Sequence, residues 1–355
     1  MHTLQHQVCQ FVPPHVLDEL AKSPDPRIRD VALETIKVAV QARTARQMSA
    51  LMPAMAAIPS PTRGKDRLVY DMRQRRFPLP GELVRREGEA PVSDSTVNEA
   101  YDHAGATYDF YKDVLYRNSL DGNGMSLISS VHYGRRINNA FFNGEQMLYG
   151  DGDGQIFISF TKALDVVAHE LTHGVIQYTS NLEYQDQPGA LNESFADVMS
   201  ACVKQWFNKQ TVVQADWLLG DAIMGPAVAG KAKSLRTFTA EKAYVGVPEL
   251  GGDDPQPKHM RDFVHTEEDN GGVHINSGIP NHAFYLVAMK LGGYSWEKAG
   301  QIWYKTLQAL TSTSDFQATA DTSYRIAVAD YGRDSEEAKA VSGGWAGVGI
   351  EVHMA

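Results

Sequence analysis

Val166-Val167-Ala168-His169-Glu170-Leu171-Thr172-His173-Gly174-Val175 is the stretch on which the reading of this chain turns. Val166, Val167, Leu171, Val175 and Ile176 form apolar faces at helical spacing, so a helix is expected over residues 161–179. His169 and His173 are four residues apart and share one face of that helix, where both imidazoles can reach one metal ion. Glu170 stands about 100° further round, close enough to touch a water on that metal without binding the metal itself. Zinc takes imidazole and carboxylate ligands, keeps one position for water when it is catalytic, and lowers that water's pKa to roughly 7, so Glu170 can take its proton. The same His-Glu-x-x-His spacing also arises by chance on amphipathic helices, so a third ligand has to be found.

Asn192-Glu193-Ser194-Phe195-Ala196-Asp197 supplies a candidate on the next expected helix, residues 190–207, beyond a loop containing Gly189. Glu193 can complete a set of two histidines and one carboxylate. Asp197 lies four residues on, on the same face, where it can accept the free ring N–H of His169 and fix its tautomer. A solvated acidic face is the plainer reading of these two carboxylates.

Outward from this centre the texture divides. Residues 68–160 read as strands broken by Gly, Asn and Asp turns, with a helix over residues 93–116. Asp151-Gly152-Asp153-Gly154 is expected to close a hairpin between residues 146–149 and 155–160; a calcium loop there would need later acidic ligands that are missing. From Thr161 onward helices dominate, with further ones expected over residues 281–291, 295–310 and 314–331. Near the start, Asp25 suits an N-cap and Pro26 a first helical position for a helix within residues 24–48. Leu51 to Arg63, rich in Pro, Ala, Met and Ser, suits an exposed, cleavable linker. The expected organisation is a pro-segment over residues 1–50, a β-rich lobe over 51–178 ending in the metal helix, and a helical lobe over 179–355. The fold class is therefore α+β.

The chain has 355 residues, enough for two cored lobes, and a net charge of −10 with no basic block, so nucleic acid is a poor partner. Cys9 and Cys202 are too few and too far apart for a disulfide framework and read as free thiols. No run is apolar enough to span a bilayer. Residues 1–16 lack a basic start, an apolar stretch and a small-residue cleavage site, so a secretory signal is not expected. Either a cytoplasmic precursor or export by another route follows.

From about Ser95 onward the sequence resembles the thermolysin family of zinc metalloendopeptidases. The resemblance rests on Tyr108-Asp109-Phe110-Tyr111-Lys112, Ser130-Val131-His132-Tyr133, Asn138-Asn139-Ala140-Phe141-Phe142, Tyr149 to Gly154, the metal helix, Gly189 to Asp197, and Asp269-Asn270-Gly271-Gly272-Val273-His274-Ile275-Asn276-Ser277-Gly278. It implies a thermolysin-like fold and one catalytic zinc on His169, His173 and Glu193. It also implies that Glu170 acts as general base and proton shuttle, with Tyr184 and His274 stabilising the oxyanion. His274 must be protonated for that role, and Asp269, five residues earlier, is a suitable partner to raise its pKa. Asn139 and the Ala140 carbonyl match groups that hold the substrate backbone as an added strand. Arg236 matches an arginine that binds a substrate carbonyl. Val166 and Leu235 are expected to make the primary pocket apolar, and the resemblance implies cleavage on the N-terminal side of hydrophobic residues.

Two departures qualify the resemblance. Asp165, Asp216 and Asp221 match positions of a double calcium site, but Lys204 and Leu218 replace other carboxylates of that site, so the site is expected to be absent. Cys9-Gln10-Phe11-Val12-Pro13-Pro14-His15-Val16-Leu17 resembles the short pro-segment of the protealysin branch, held extended by its prolines and laid down as a poor substrate. Anchoring by Cys9 or His15, or their approach to zinc, are both open. The expected partners are protein and peptide substrates, the chain's own pro-segment as inhibitor, and a protein inhibitor; a monomer is expected. Two other functions compete with a zinc endopeptidase zymogen. One is a metal-bound but inactive peptide binder, which the joint presence of Glu170, His274 and Tyr184 opposes. The other is an exopeptidase, which would need a pocket for a substrate terminus.

Overall fold

A computed structural model describes residues 9–49 and 64–353; the linker expected over residues 51–63 lies outside the described residues. The described residues fall into two compact units. The first takes those within Met1–Val175, Gly220–Leu235 and Ala243–Asp254, and the second Ile176–Leu219, Arg236–Lys242 and Pro255–Ala355.

The first unit begins with β1 (Cys9–Gln10), α1 (Pro14–Leu20) and α2 (Pro26–Ser49). β2 (Arg67–Asp71), β3 (Glu82–Arg86), α3 (Ser95–Asp113), β4 (Leu127–Val131), β5 (Ala140–Phe142) and β6 (Met147–Tyr149) follow, then α4 (Leu164–Gln177). Six strands form one mixed sheet in the order β1-β5-β6-β4-β2-β3. β4 runs parallel to both β2 and β6, and β5 runs antiparallel to β1 and β6. Val97, Ala100, Tyr101, Ala104, Tyr108 and Tyr111 recur every three or four residues and form the buried face of α3. The Tyr111 hydroxyl lies 2.8 Å from Thr172 Oγ1 and so ties α3 to α4. Gly174 lets α4 come close: a Cβ there would stand 2.7 Å from Leu120 Cδ1 and 3.2 Å from Phe142 Cζ.

Two expectations are corrected here. The hairpin joins β5 to β6 across residues 143–146, and residues 155–160 are not a strand. Asp153 explains why, because Oδ1 accepts from the backbone N–H of Gln155, Ile156 and Phe157 and curls the chain. Pro13 is extended, as its neighbour's ring demands, but Pro14 opens a helix instead of prolonging the extended run. Its missing N–H is one that a first helical turn leaves unused in any case.

His132 fastens this unit. Its Nδ1 lies 2.8 Å from Asp151 Oδ1 and its Nε2 2.9 Å from Asp94 Oδ2, while Asp94 also caps α3 through Thr96 N. The hydrogen bond to Asp151 leads in raising its pKa to about 9, against a smaller opposing effect of burial. A folded pKa above the unfolded value near 6.5 contributes stability that is full below about pH 6.5 and is lost as pH rises through about 9. The gap in unfolding free energy between wild type and His132→Ala, measured by denaturant titration, is therefore expected to be widest near about pH 6, on the order of 2 kcal/mol after solvent screening, and to close by about pH 10. A gap that does not change over that range would refute the doubly bonded imidazolium.

The second unit holds α5 (Asp186–Asn208) and the short pair β7 (Leu218–Leu219) and β8 (Arg236–Thr237). Five helices complete it: α6 (Asp269–Asn276), α7 (Gly278–Leu291), α8 (Lys298–Ala309), α9 (Phe316–Tyr331) and α10 (Glu336–Gly347). Trp303 stacks on Trp345 at 6.0 Å and meets Phe284 edge-on at 5.1 Å, joining α7, α8 and α10 through one aromatic core.

Candidate active site

α4 presents His169 and His173 with their Nε2 atoms 2.9 Å apart, so both rings are aimed at one point. His169, His173 and Glu193 each offer one ligand atom, and these atoms all lie within 4.8 Å of one another; all three residues are buried. Two imidazoles and one carboxylate brought together out of water form the donor set of a catalytic zinc, and the chain fits that ion on its own chemistry. Glu170 adjoins His169 on α4 and is fully buried.

In the second unit, Glu193 Oε1 accepts a short hydrogen bond from the Tyr184 hydroxyl. That hydroxyl lies 3.2 Å from His274 Nε2. His274 Nδ1 in turn lies 2.6 Å from Asp269 Oδ1, and the other Asp269 oxygen accepts from His274 N at 2.9 Å. Burial pulls the His274 pKa down, but the charges of Asp269 and Glu193 prevail and raise it to about 9. A cation on Glu193 would offset part of that rise, leaving Asp269 as the lasting partner. The loop that aims His274 is unusual. Asp269, Asn270, Gly271 and Gly272 all have left-handed φ values, of 51°, 52°, 84° and 74°. Only glycine adopts that region without cost, and Gly271 has a second reason to be glycine: a Cβ would meet Asp186 Oδ1.

Arg236, on β8, points both Nε and Nη2 at Asp197, at 3.0 and 2.9 Å. Asn281 Nδ2 adds a third bond to Asp197 at 2.9 Å. Sequence reasoning named Arg236 and Asp197 separately and missed their pairing; Asn281 it did not name as a site residue at all. In the first unit, Asn139, Ala140, Val166 and Leu235 are buried. Asn139 and Ala140 bond to residues 11 and 12. The Asn139 side chain accepts from Val12 N at 2.8 Å and donates to Val12 O at 3.2 Å, and the Ala140 carbonyl accepts from Phe11 N at 3.2 Å. Phe11 packs edge-on against His169, with the ring centroids 5.2 Å apart.

Residues 59–177 match the family described as "Thermolysin metallopeptidase, catalytic domain", and residues 180–350 match "Thermolysin metallopeptidase, alpha-helical domain". The chain belongs to the thermolysin family of metallopeptidases. Among relatives in that family, an extracellular metalloprotease of Pectobacterium carotovorum subsp. carotovorum is 43% identical over 355 residues, covering 98% of both chains. A thermolysin of Alicyclobacillus acidocaldarius subsp. acidocaldarius is 39% identical over 299 residues, 81% of this chain and 52% of that protein. The solved precursor of protealysin, a metalloproteinase from Serratia proteamaculans, superposes with a TM-score of 0.85 at 43% identity, over 96% of this chain and 99% of that one. This thermolysin-family chain therefore has the mixed-sheet and helical regions of the fold together with the zinc-binding triad, and it is a peptide hydrolase. No described helix is long and apolar enough to cross a membrane.

Proposed function

We propose that the chain is the zymogen of a zinc endopeptidase that cuts proteins on the N-terminal side of hydrophobic residues. The observation that carries this is the convergence of His169, His173 and Glu193, with Glu170 next to the first of them. These three residues would hold zinc, which when bound acts as a Lewis acid and makes water a ready nucleophile near neutral pH. Glu170 takes a proton from the attacking water and passes it to the departing amide nitrogen. Tyr184 and protonated His274 donate to the carbonyl oxygen as negative charge develops there, and Asp269 holds the imidazole in place. Asn139 and the Ala140 carbonyl bind the substrate backbone as a strand on β5, Val166 and Leu235 line the pocket for its apolar side chain, and Arg236, braced by Asp197, binds a substrate carbonyl.

In the zymogen β1 takes the edge of β5, with Cys9 opposite Phe142 and Gln10 opposite Phe141, and so denies that edge to a substrate. The pro-segment is proposed to span residues 1–50, ahead of lobes at 51–178 and 179–355. Purified enzyme freed of residues 1–50 is expected to hydrolyse casein, to stop when 1,10-phenanthroline is added, and to leave new N-termini that are mostly Leu, Phe, Ile or Val. Products trimmed one residue at a time would point to an exopeptidase instead.

Lys204 supports a thermolysin-type protein without the double calcium site. Its ammonium donates to the Leu218 carbonyl at 3.1 Å and lies 3.6 Å from Asp216, a cation already beside one of the remaining acids. Thermal inactivation is accordingly expected to be the same in millimolar calcium and in EGTA. The protein is proposed to act as a monomer and, like the relative described as extracellular, outside the cell.

A further inference from the structure

Residues 10–12 lie on the first unit as a substrate would. Phe11 N donates to the Ala140 carbonyl, and the Asn139 amide clasps both backbone groups of Val12. The Phe11 ring is fully buried beside His169. Gly220 leaves it room: a Cβ on that residue would stand 2.9 Å from Phe11 Cε1 and 3.5 Å from Leu235 Cβ. An obstruction needs bulk alone. This segment instead pairs its backbone as an added strand and fills an apolar pocket with one aromatic side chain, the two features by which an extended peptide is recognised.

We infer that Gln10–Phe11 is itself a scissile bond of this enzyme, held in place and cut within the same molecule. The inference rests on the endopeptidase reading, which puts the apolar residue just after the cut. Phe11 is the residue in the pocket next to His169, so the bond on its N-terminal side is the one presented. The alternative bond, Phe11–Val12, would put Val12 just after the cut, whereas the side chain seated beside His169 is that of Phe11. In the reaction, water adds its oxygen to the Gln10 carbonyl carbon and the bond from that carbon to Phe11 N breaks. The water protons pass to that nitrogen, leaving a carboxylate on Gln10 and an ammonium on Phe11.

The cut is slow and does not activate the enzyme. Residues after it remain anchored by Val12, by the buried Val16, Leu17 and Leu20 of α1, and by the packing of α1 on α2. Pairing of Cys9 and Gln10 with β5 holds the other side, so the new ammonium stays beside the carboxylate it left and reclosure of the bond competes with departure.

The experiment incubates purified full-length chain, quenches it in acid, and measures intact masses. A species running from Phe11 to Ala355 is expected, together with the decapeptide MHTLQHQVCQ, formed at a rate independent of protein concentration. Phe11→Asp should slow its formation by about tenfold or more, whereas Phe11→Leu, which keeps an apolar residue in the pocket, should still be cut. Casein hydrolysis by enzyme freed of residues 1–50 is measured on the same preparation. If casein is cut but no Phe11–Ala355 species forms, or if it forms in proportion to concentration, the inference falls and the endopeptidase reading stands. If casein is not cut, both fall.

Discussion

Alanine in place of Glu170 is expected to leave a folded chain with stoichiometric zinc that, once freed of residues 1–50 by added enzyme which is then removed, hydrolyses casein ~10²–10⁴-fold more slowly than wild type treated alike. Glu170 is fully buried on α4, and the three donor groups are other residues, so metal content and activity should separate. Its charge is felt locally: burial first, and then Glu170, pushes the Tyr149 hydroxyl well above its usual range. In water a carboxylate does little to a neutral solvent molecule, but in this enclosed setting it is a base held at one position, and its removal takes away proton transfer and nothing else. The measurements are kcat/KM for a peptide substrate and metal content by atomic absorption. Equal loss of zinc and activity would mean that the residue supports the metal and is not the base.

The same variant gives a view of maturation. A Glu170→Ala precursor kept alone should retain its linker, and added active enzyme should cut it between about residues 45 and 60, where a run rich in Pro, Ala, Met and Ser suits proteolysis. An uncut linker in both cases would leave the chain without the pro-segment processing proposed for it.

What the sequence disclosed follows from distance along the chain. His169, Glu170 and His173 could be read because one helical turn fixes their relation. The helix expected over residues 93–116 is α3, but which of its residues form the buried face was learned only from the structure. Asp269 was named as a suitable partner for His274 once the resemblance had given that histidine its role, because only five residues separate the two. The Asp197–Arg236 bond spans 39 residues and joins α5 to β8, so no local pattern announces it. The misplaced hairpin has a different cause. Gly152 and Gly154 give a turn signal, but the Asp153 carboxylate competes for the backbone N–H groups that a following strand would have used. Likewise Pro13-Pro14 is compatible both with an extended run and with a helix start, and the apolar residues Val16, Leu17 and Leu20 settle it by burying one face of α1.

Removal of the Asp197 carboxylate is expected to cost more stability than any other single change in the second unit. Asp197 is fully buried and Arg236 is 2% exposed, so Asp197→Ala strands a guanidinium away from water. Burial acts first to lower the proton affinity of Arg236, but the charges of Asp197 and Glu193 outweigh it, and the group stays ionised. Breaking one side of such a pair costs ~3–5 kcal/mol, whereas replacing both sides with apolar residues of similar volume is often neutral. Asp197→Ala should therefore lower the melting temperature by on the order of 10 °C, and Asp197→Leu with Arg236→Met should recover most of that loss. Melting is best followed in the Glu170→Ala background, where self-digestion cannot truncate the transition. Activity is read in the parent background, and there the double variant should remain impaired, because the proposed donor to a substrate carbonyl is gone even though the fold is restored. A double variant with full activity would reduce Arg236 to a structural counter-ion. A single variant melting within about 2 °C of its parent would mean that water reaches Arg236 once Asp197 is removed.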